Sequence, residues 1–324
     1  MPFVSMTAPG FVGSVAAMNS NGVAAGVDMI PGANCTSAEP GMNSLFLVRD
    51  CIERGGTFDE ALGRIIEAKR GVTYDYILAA DGGPEADRAC VVEAGASMKR
   101  IPFRGYVRNV RKELRDLLPN HKYITKHRSG IASKGVMVRY PGDLPYLDKY
   151  IKKFNRGLWE FFGKQLRPDA FDERGYINES FDDTNCPETY YFAPERMNDK
   201  NVILATNHWI HPEMRLCGMK PWTSNFARGH MNDVQWRYDE LNFRLKGALD
   251  KGPIPYARAK ALIDFLKPRN FPGYHDGKDM STDRKEYVIN GSVSLFNLGR
   301  RTVESHYGYY GDKWVKIRLK NYFR

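Results

Sequence analysis

The chain has 324 residues, 48 Lys plus Arg against 38 Asp plus Glu for a formal charge of +10, and 42% of it is hydrophobic. That composition fits an ordinary globular core and excludes the disordered and fibrous classes. No window reaches the run of about 18 apolar residues that a membrane helix needs, and Met1 to Gly10 lacks the basic start and apolar stretch of a secretory signal, so neither a membrane nor a secretory route is expected. The compartment stays open: cytoplasmic if Met1 is a true start, undetermined if a targeting peptide precedes it.

In chain order, residues 11–28 read as two small-residue apolar stretches around Asn19-Ser20-Asn21-Gly22, and Asn-Gly between alternating apolar runs predicts a hairpin. A loop with Pro31, Gly32, Pro40 and Gly41 follows. Leu45, Val48 and Ile52 at helical spacing predict a helix over 43–53. Gly55-Gly56 ends it, and Thr57-x-x-Glu60 has the form of a capping box opening a second helix over 58–69. Residues 74–80 and 89–94 read as strands joined by the turn Asp81-Gly82-Gly83-Pro84.

The next hundred residues differ in composition. From Lys99 to Ala170 there are 18 Lys plus Arg and 6 Asp plus Glu, a surplus of 12, so the rest of the chain sums to −2. The segment 98–200 reads as a basic, mainly helical insertion, with helices near 107–118 and 147–162, lying outside the core of a single 1–324 domain. Beyond it, 201–206 predicts a buried strand, 233–249 and 255–266 predict helices, and 288–297, 302–309 and 314–319 alternate like an antiparallel meander. Strands, helices and strands again imply α+β layers around one antiparallel core.

The most informative polar pattern is Ala205-Thr206-Asn207-His208-Trp209, where an apolar run ends in a carboxamide. An amide donor fixed on a rigid strand end suits an oxyanion hole, whose N–H must already point at developing negative charge; an Asn that only shapes a turn fits the same local pattern. Asp28 and Arg237 can form a charge-assisted pair that orients a substrate group, and each also fits an ordinary structural polar position. His208, His211 and Glu213, with His230, raise a metal site, but Pro212 breaks any helix that would align them, and neither metal nor cofactor is expected.

Arg108, Arg111, Lys112 and Arg115 line one helix face near Tyr106 and Tyr123, a mixture that suits phosphate backbones and stacked bases. No recognised nucleic-acid motif accompanies them, so a solvated face is the simpler account, and no Gly-rich phosphate loop occurs. The five cysteines, Cys35, Cys51, Cys90, Cys186 and Cys217, are widely spaced and never form a Cys-x-x-Cys pair. They read as small buried hydrophobes in a reducing compartment, not as a disulfide or zinc framework.

Three groups of motifs then combine: Ala8-Pro9-Gly10-Phe11-Val12-Gly13; Ala17-Met18-Asn19-Ser20-Asn21-Gly22-Val23 continuing to Gly26-Val27-Asp28; and Pro40-Gly41-Met42-Asn43-Ser44 opening the helix that carries Arg49. With Tyr76-Ile77-Leu78-Ala79-Ala80-Asp81, Val91-Val92-Glu93 and Thr206-Asn207-His208-Trp209 in this order, residues 1–97 and 201–324 resemble the N-terminal-nucleophile (Ntn) hydrolases of the linear amide C–N hydrolase group, in the acyl-coenzyme A:isopenicillin N acyltransferase-like branch.

The resemblance implies an αββα sandwich of antiparallel sheets and a self-cleaving chain. An N-terminal cysteine would attack an amide or acyl-thioester carbonyl, its own α-amino group serving as base. It places the oxyanion-hole asparagine on Asn207 and a second, commonly Asn, position on Asp28, where an acid leaves only the backbone N–H to help. It also places an arginine on Arg237, and puts Asn19, His208 and Trp209 on the substrate-binding side.

The family's nucleophile precedes the Pro-Gly-Phe-Val-Gly motif by more than the eight residues present before it here. The resemblance therefore implies that the first strands and the catalytic cysteine come from a missing N-terminal segment or a companion chain, and Cys35-Thr36-Ser37 lies in a loop that does not serve. The competing expectations are a non-catalytic basic module on the same scaffold, binding nucleic acid or an acidic partner, and a metal hydrolase built on His208, His211 and Glu213.

Overall fold

Small residues flanking an Asn-Gly turn fold the first thirty residues onto themselves. In the computed structural model, which describes residues 1–30, 40–82, 88–95, 136–141, 201–207, 209, 241–242, 244–264, 292–307 and 313–322, β2 (Ala16–Asn19) and β3 (Val23–Met29) form the expected hairpin, with Ala16 opposite Gly26 and Met18 opposite Ala24. Gly22 adopts φ of 83°, a left-handed conformation that only glycine enters at little cost. A strand not expected from the sequence, β1 (Phe3–Met6), pairs antiparallel with β2.

The sheet continues through β4 (Tyr74–Ala80), β5 (Arg88–Ala94) and β6 (Val136–Arg139). Its order is β1-β2-β3-β4-β5-β6, and each strand is antiparallel to the one before it. The last strand corrects one expectation. Residues 136–139 come from the middle of the 98–200 segment, yet Val136 and Val138 are buried in the main core, so this stretch belongs to the sheet and not to its outside. The helices expected at 107–118 and 147–162 lie outside the described residues.

Two helices cover one face of this sheet. Asn43 accepts a hydrogen bond from Leu45 N at 2.9 Å to start α1 (Ser44–Arg54). Thr57 and Glu60 form the expected reciprocal capping box at the start of α2 (Phe58–Glu67). Leu47, Val48, Cys51 and Ile52 from α1, with Phe58, Ala61, Leu62, Ile65 and Ile66 from α2, pack on Val23, Ala25, Tyr76, Leu78, Val92 and Val138. Burying each large apolar side chain of this kind contributes about 1.5–3 kcal/mol, which makes this interface the main source of cohesion.

The second sheet is the expected meander: β7 (Ser292–Asn297), β8 (Thr302–Tyr307) and β9 (Val315–Arg318), antiparallel in that order. Met18 and Ala24 pack on Val303, Leu319, Phe296 and Ile317, which sets it against the other face of the first sheet. Successive strand residues point to opposite faces, so Glu304, next to Val303, points outward. There it takes Lys316 Nζ at 2.8 Å and the ammonium of Lys260 from α3 (Tyr256–Asp264). Among the described residues the layers thus run helices, sheet, sheet, helix. Arg301 ties the second sheet to the hairpin turn, donating to Ser20 O and Asn21 O and pairing with Asp81 at 2.6 Å.

Residues 201–206 do not form the expected strand. They are irregular apart from a single bridge at Thr206. Side chains partner this backbone where a ladder would have done so: Leu204 O accepts from Arg139 Nη2 at 2.9 Å. Helical residues 241–242 and 244–249 support the segment, with Leu241, Leu245 and Leu249 packed on Leu204.

Candidate functional site

The face of the six-stranded sheet that meets the second sheet changes character along its strands. At one end Met18 and Ala24 are apolar and closed off. At the other end Asp28 on β3 stands directly opposite Asp75 on β4, and Asp75 directly opposite Glu93 on β5. Directly opposed residues of an antiparallel pair share a face, with Cβ atoms about 4.5–5.5 Å apart. Three carboxyl groups therefore form a row across three adjacent strands.

The inner end of the row is neutralised. Arg139 on β6, 2% exposed, donates from Nε to Glu93 Oε1 at 2.6 Å and from Nη2 to Leu204 O. Such a buried pair persists only with good geometry and further hydrogen bonds, and the bond to Leu204 supplies one. The same guanidinium thereby fastens the Asn207-bearing segment over the sheet.

Asp75 is different. Its side chain is fully buried, and neither carboxylate oxygen has a hydrogen-bond partner among the described residues. Burial is the largest cause pushing its carboxyl well above the ordinary range, Glu93 and Asp28 push the same way, and Arg139 opposes them. The indole N–H of Trp209 lies near enough to favour the ionised form, yet it makes no hydrogen bond of acceptable geometry. Asp75 accordingly holds its proton to higher pH than an ordinary carboxyl.

Asn207 sits at the outer end of the row. Its Nδ2 donates to Met29 O at 3.1 Å, so the carboxamide lies against the last residue of β3, next to half-buried Asp28. The structure thus brings together Asn207 and the Asp28 end of β3, two positions singled out from the sequence. Trp209, two residues on, is 1% exposed, with its indole near Asp75. Arg237 and His208 lie outside the described residues, as do His211, Glu213 and His230. Among the described residues no group of three or more His, Cys, Asp and Glu is placed to hold a metal ion, and no helix is long and apolar enough to cross a membrane.

Asn19 is a correction. Its side chain is fully buried. Nδ2 donates to Ile52 O at 3.1 Å and Gly55 O at 2.9 Å, while Oδ1 accepts from Asn21 N and Val23 N. Both donors and both lone pairs are committed to joining the hairpin turn to the end of α1, and none remains for a substrate. The Met-Asn-x-x-Gly motif is a structural tie.

Among the described residues Cys51 and Cys90 are buried. Burial pushes the Cys51 thiol up to about 12, which removes it as a nucleophile, since the thiolate is the reactive form. The residues that sequence reasoning missed are Asp75, Glu93 and Arg139 in their roles here. The available signal was a carboxylate within each of two apolar strands, at positions where alternation puts a residue inside.

No protein-family model matches the chain. The chain is 26% identical over 318 residues to an uncharacterized protein of Archaeoglobus fulgidus, an alignment that covers 98% of this chain and 37% of that protein, so it spans little more than a third of that relative's length. Among solved structures it is similar to two variants of the conjugated bile acid hydrolase of Clostridium perfringens, with TM-scores of 0.46 and 0.45 at 11% and 10% identity, each covering 98% of this chain and 76% of the other. At that level of likeness neither structure assigns a family, an activity or a substrate to the chain.

Proposed function

We propose that the chain is the larger part of a cysteine Ntn-type amide C–N hydrolase or acyltransferase, acting on small-molecule linear amides or acyl thioesters, whose nucleophile is a cysteine preceding residue 1. The observation that carries this reading is the convergence of Asn207 on the end of β3 beside Asp28. There a carboxamide N–H is held at the end of β3, at the two positions where the motif resemblance expects the oxyanion hole. The helix, sheet, sheet, helix layering of the described residues agrees with the sandwich that the same motifs imply.

In this mechanism Asn207 Nδ2 keeps Met29 O with one N–H and donates the other to the carbonyl oxygen as it becomes an oxyanion. A donor already aimed costs no reorganisation at the moment of reaction. Asp28 contributes through its backbone N–H, because its carboxylate beside an oxyanion is unfavourable. Arg237 orients the acyl or leaving group. The cysteine thiol and its own α-amino group supply nucleophile and base.

The test is turnover of linear amides and thioesters by the full-length protein. Asn207→Ala is expected to lower kcat about 10²–10³-fold with little change in KM; an unchanged kcat would remove Asn207 from the mechanism. The charge surplus of residues 99–170 favours a second reading, a non-catalytic basic module that binds nucleic acid or an acidic partner. It requires an affinity that falls steeply with salt in a filter-binding assay, and salt-independent binding would end it.

A further inference from the structure

The amide-hydrolase reading uses Asn207 and the outer edge of the row but gives no task to Asp75. Both oxygens of this carboxyl and the indole N–H of Trp209 are buried without hydrogen-bond partners. Buried polar groups are nearly always satisfied, so two unsatisfied ones side by side call for an explanation. The sheet has no structural need for an acid here: Ile77 and Ala79 occupy the next positions of β4 on the same face, opposite Gly26 and Ala24.

Among the described residues few charged groups face Asp75. Glu93 on β5 is matched by Arg139 of β6. Asp28 on β3 is half-buried and forms the outer end of the row toward Asn207. Trp209, from the segment that Arg139 holds down, is buried with its indole N–H near Asp75. Among the described residues no positively charged group donates to Asp75, and the row that contains it ends in the half-buried Asp28.

We propose that Asp75 and Asp28, with Trp209, form a subsite for an organic ammonium group, the amine-bearing part of the ligand that Asn207 holds by its carbonyl. The assignment to an amide substrate rests on the reading above, while the ammonium site itself stands on Asp75 and Trp209. When the ammonium enters, it donates to Asp75, and the carboxyl gives up its proton to solvent. Glu93 and Asp28 resist that ionisation, and Arg139, the indole N–H and the ligand's own charge favour it. Binding is therefore accompanied by proton release and strengthens as pH rises toward the titration of Asp75.

The test is isothermal titration calorimetry on the 324-residue chain, with n-butylammonium chloride as probe in phosphate and in HEPES, whose different ionisation heats reveal proton release. Saturable binding with proton release is expected, and no binding of n-butanol. Asp75→Asn, isosteric and neutral, should weaken it at least tenfold, roughly the loss of one charge-assisted hydrogen bond, and abolish the proton release. Trp209→Phe should keep the proton release and weaken binding several-fold. Absence of saturable butylammonium binding, equal binding of potassium, or undiminished binding by a folded Asp75→Asn variant would each overturn the proposal. Loss of amide turnover in the full-length protein with butylammonium binding intact would sink the hydrolase reading and leave the ammonium site standing.

Discussion

The two faces of the six-stranded sheet are built from alternate residues of the same strands, and they obey different rules. Toward α1 and α2, the inward positions of β3, β4 and β5 are Val, Ala, Tyr, Leu and Val in unbroken alternation. Toward the second sheet, the same strands begin apolar at Ala24 and end in Asp28, Asp75 and Glu93. The helix side is what stability alone requires. The other side carries a buried ion pair and a partnerless acid, which an apolar set of similar volume often replaces without loss of stability.

Substitutions can break that contrast or sharpen it. Arg139→Met leaves Glu93 buried without its counter-charge and Leu204 O without its donor; unfolding in urea should show a loss of about 3–5 kcal/mol, together with detachment of the 201–207 segment. On the helix side Ile65→Ala removes a wholly buried side chain, and the same measurement should give about 2–5 kcal/mol with that segment still in place. Equal effects on the segment would erase the distinction between the faces.

Asp75 sharpens the contrast by sign. Its folded pKa is raised above its ordinary value of 3.8, so the stability it allows is fully present below that value and is lost as pH rises through the folded one. Asp75→Asn should therefore stabilise the protein at neutral pH and flatten this part of the stability profile, where Ile65→Ala lowers the whole curve. An Asp75→Asn variant less stable than the parent at pH 7 would mean the carboxylate is ionised and partnered. The smallest effect belongs to a local feature: Thr57→Ala should cost about 1 kcal/mol by removing the capping box of α2, read as a shift in the urea midpoint with unchanged slope.

The same contrast separates what was legible in the sequence from what was not. The hairpin, α1, α2 and the closing meander were readable because their determinants are local: Asn-Gly, the Asn43 cap, the Thr57 and Glu60 box, and two-residue alternation. β1 escaped because four residues carry too little pattern. β6 escaped because Val136 and Val138 sit inside a strongly basic stretch whose composition suggested exterior helix. The run Val202-Ile203-Leu204-Ala205 was read as a strand because burial alone looks the same in strand and loop, whereas its conformation depends on Arg139, 65 residues away.

Of the site, the sequence pointed to Asn207 and Asp28, which the fold brings to one place, and misjudged Asn19, whose motif serves the turn. It marked Asp75 only as a carboxylate at an inward strand position, since a partnerless acid is defined by what surrounds it in space, and those neighbours come from four separate stretches of chain.

The most direct test compares amide turnover by the 324-residue chain with turnover by a longer protein in which, as proposed, a Cys-Thr or Cys-Ser nucleophile precedes residue 1. The proposal predicts that the chain alone is at background, since it assigns nucleophile and base to an upstream segment, and that the longer protein is active. Amide hydrolysis by the isolated chain that survives replacement of all five of its cysteines would contradict it.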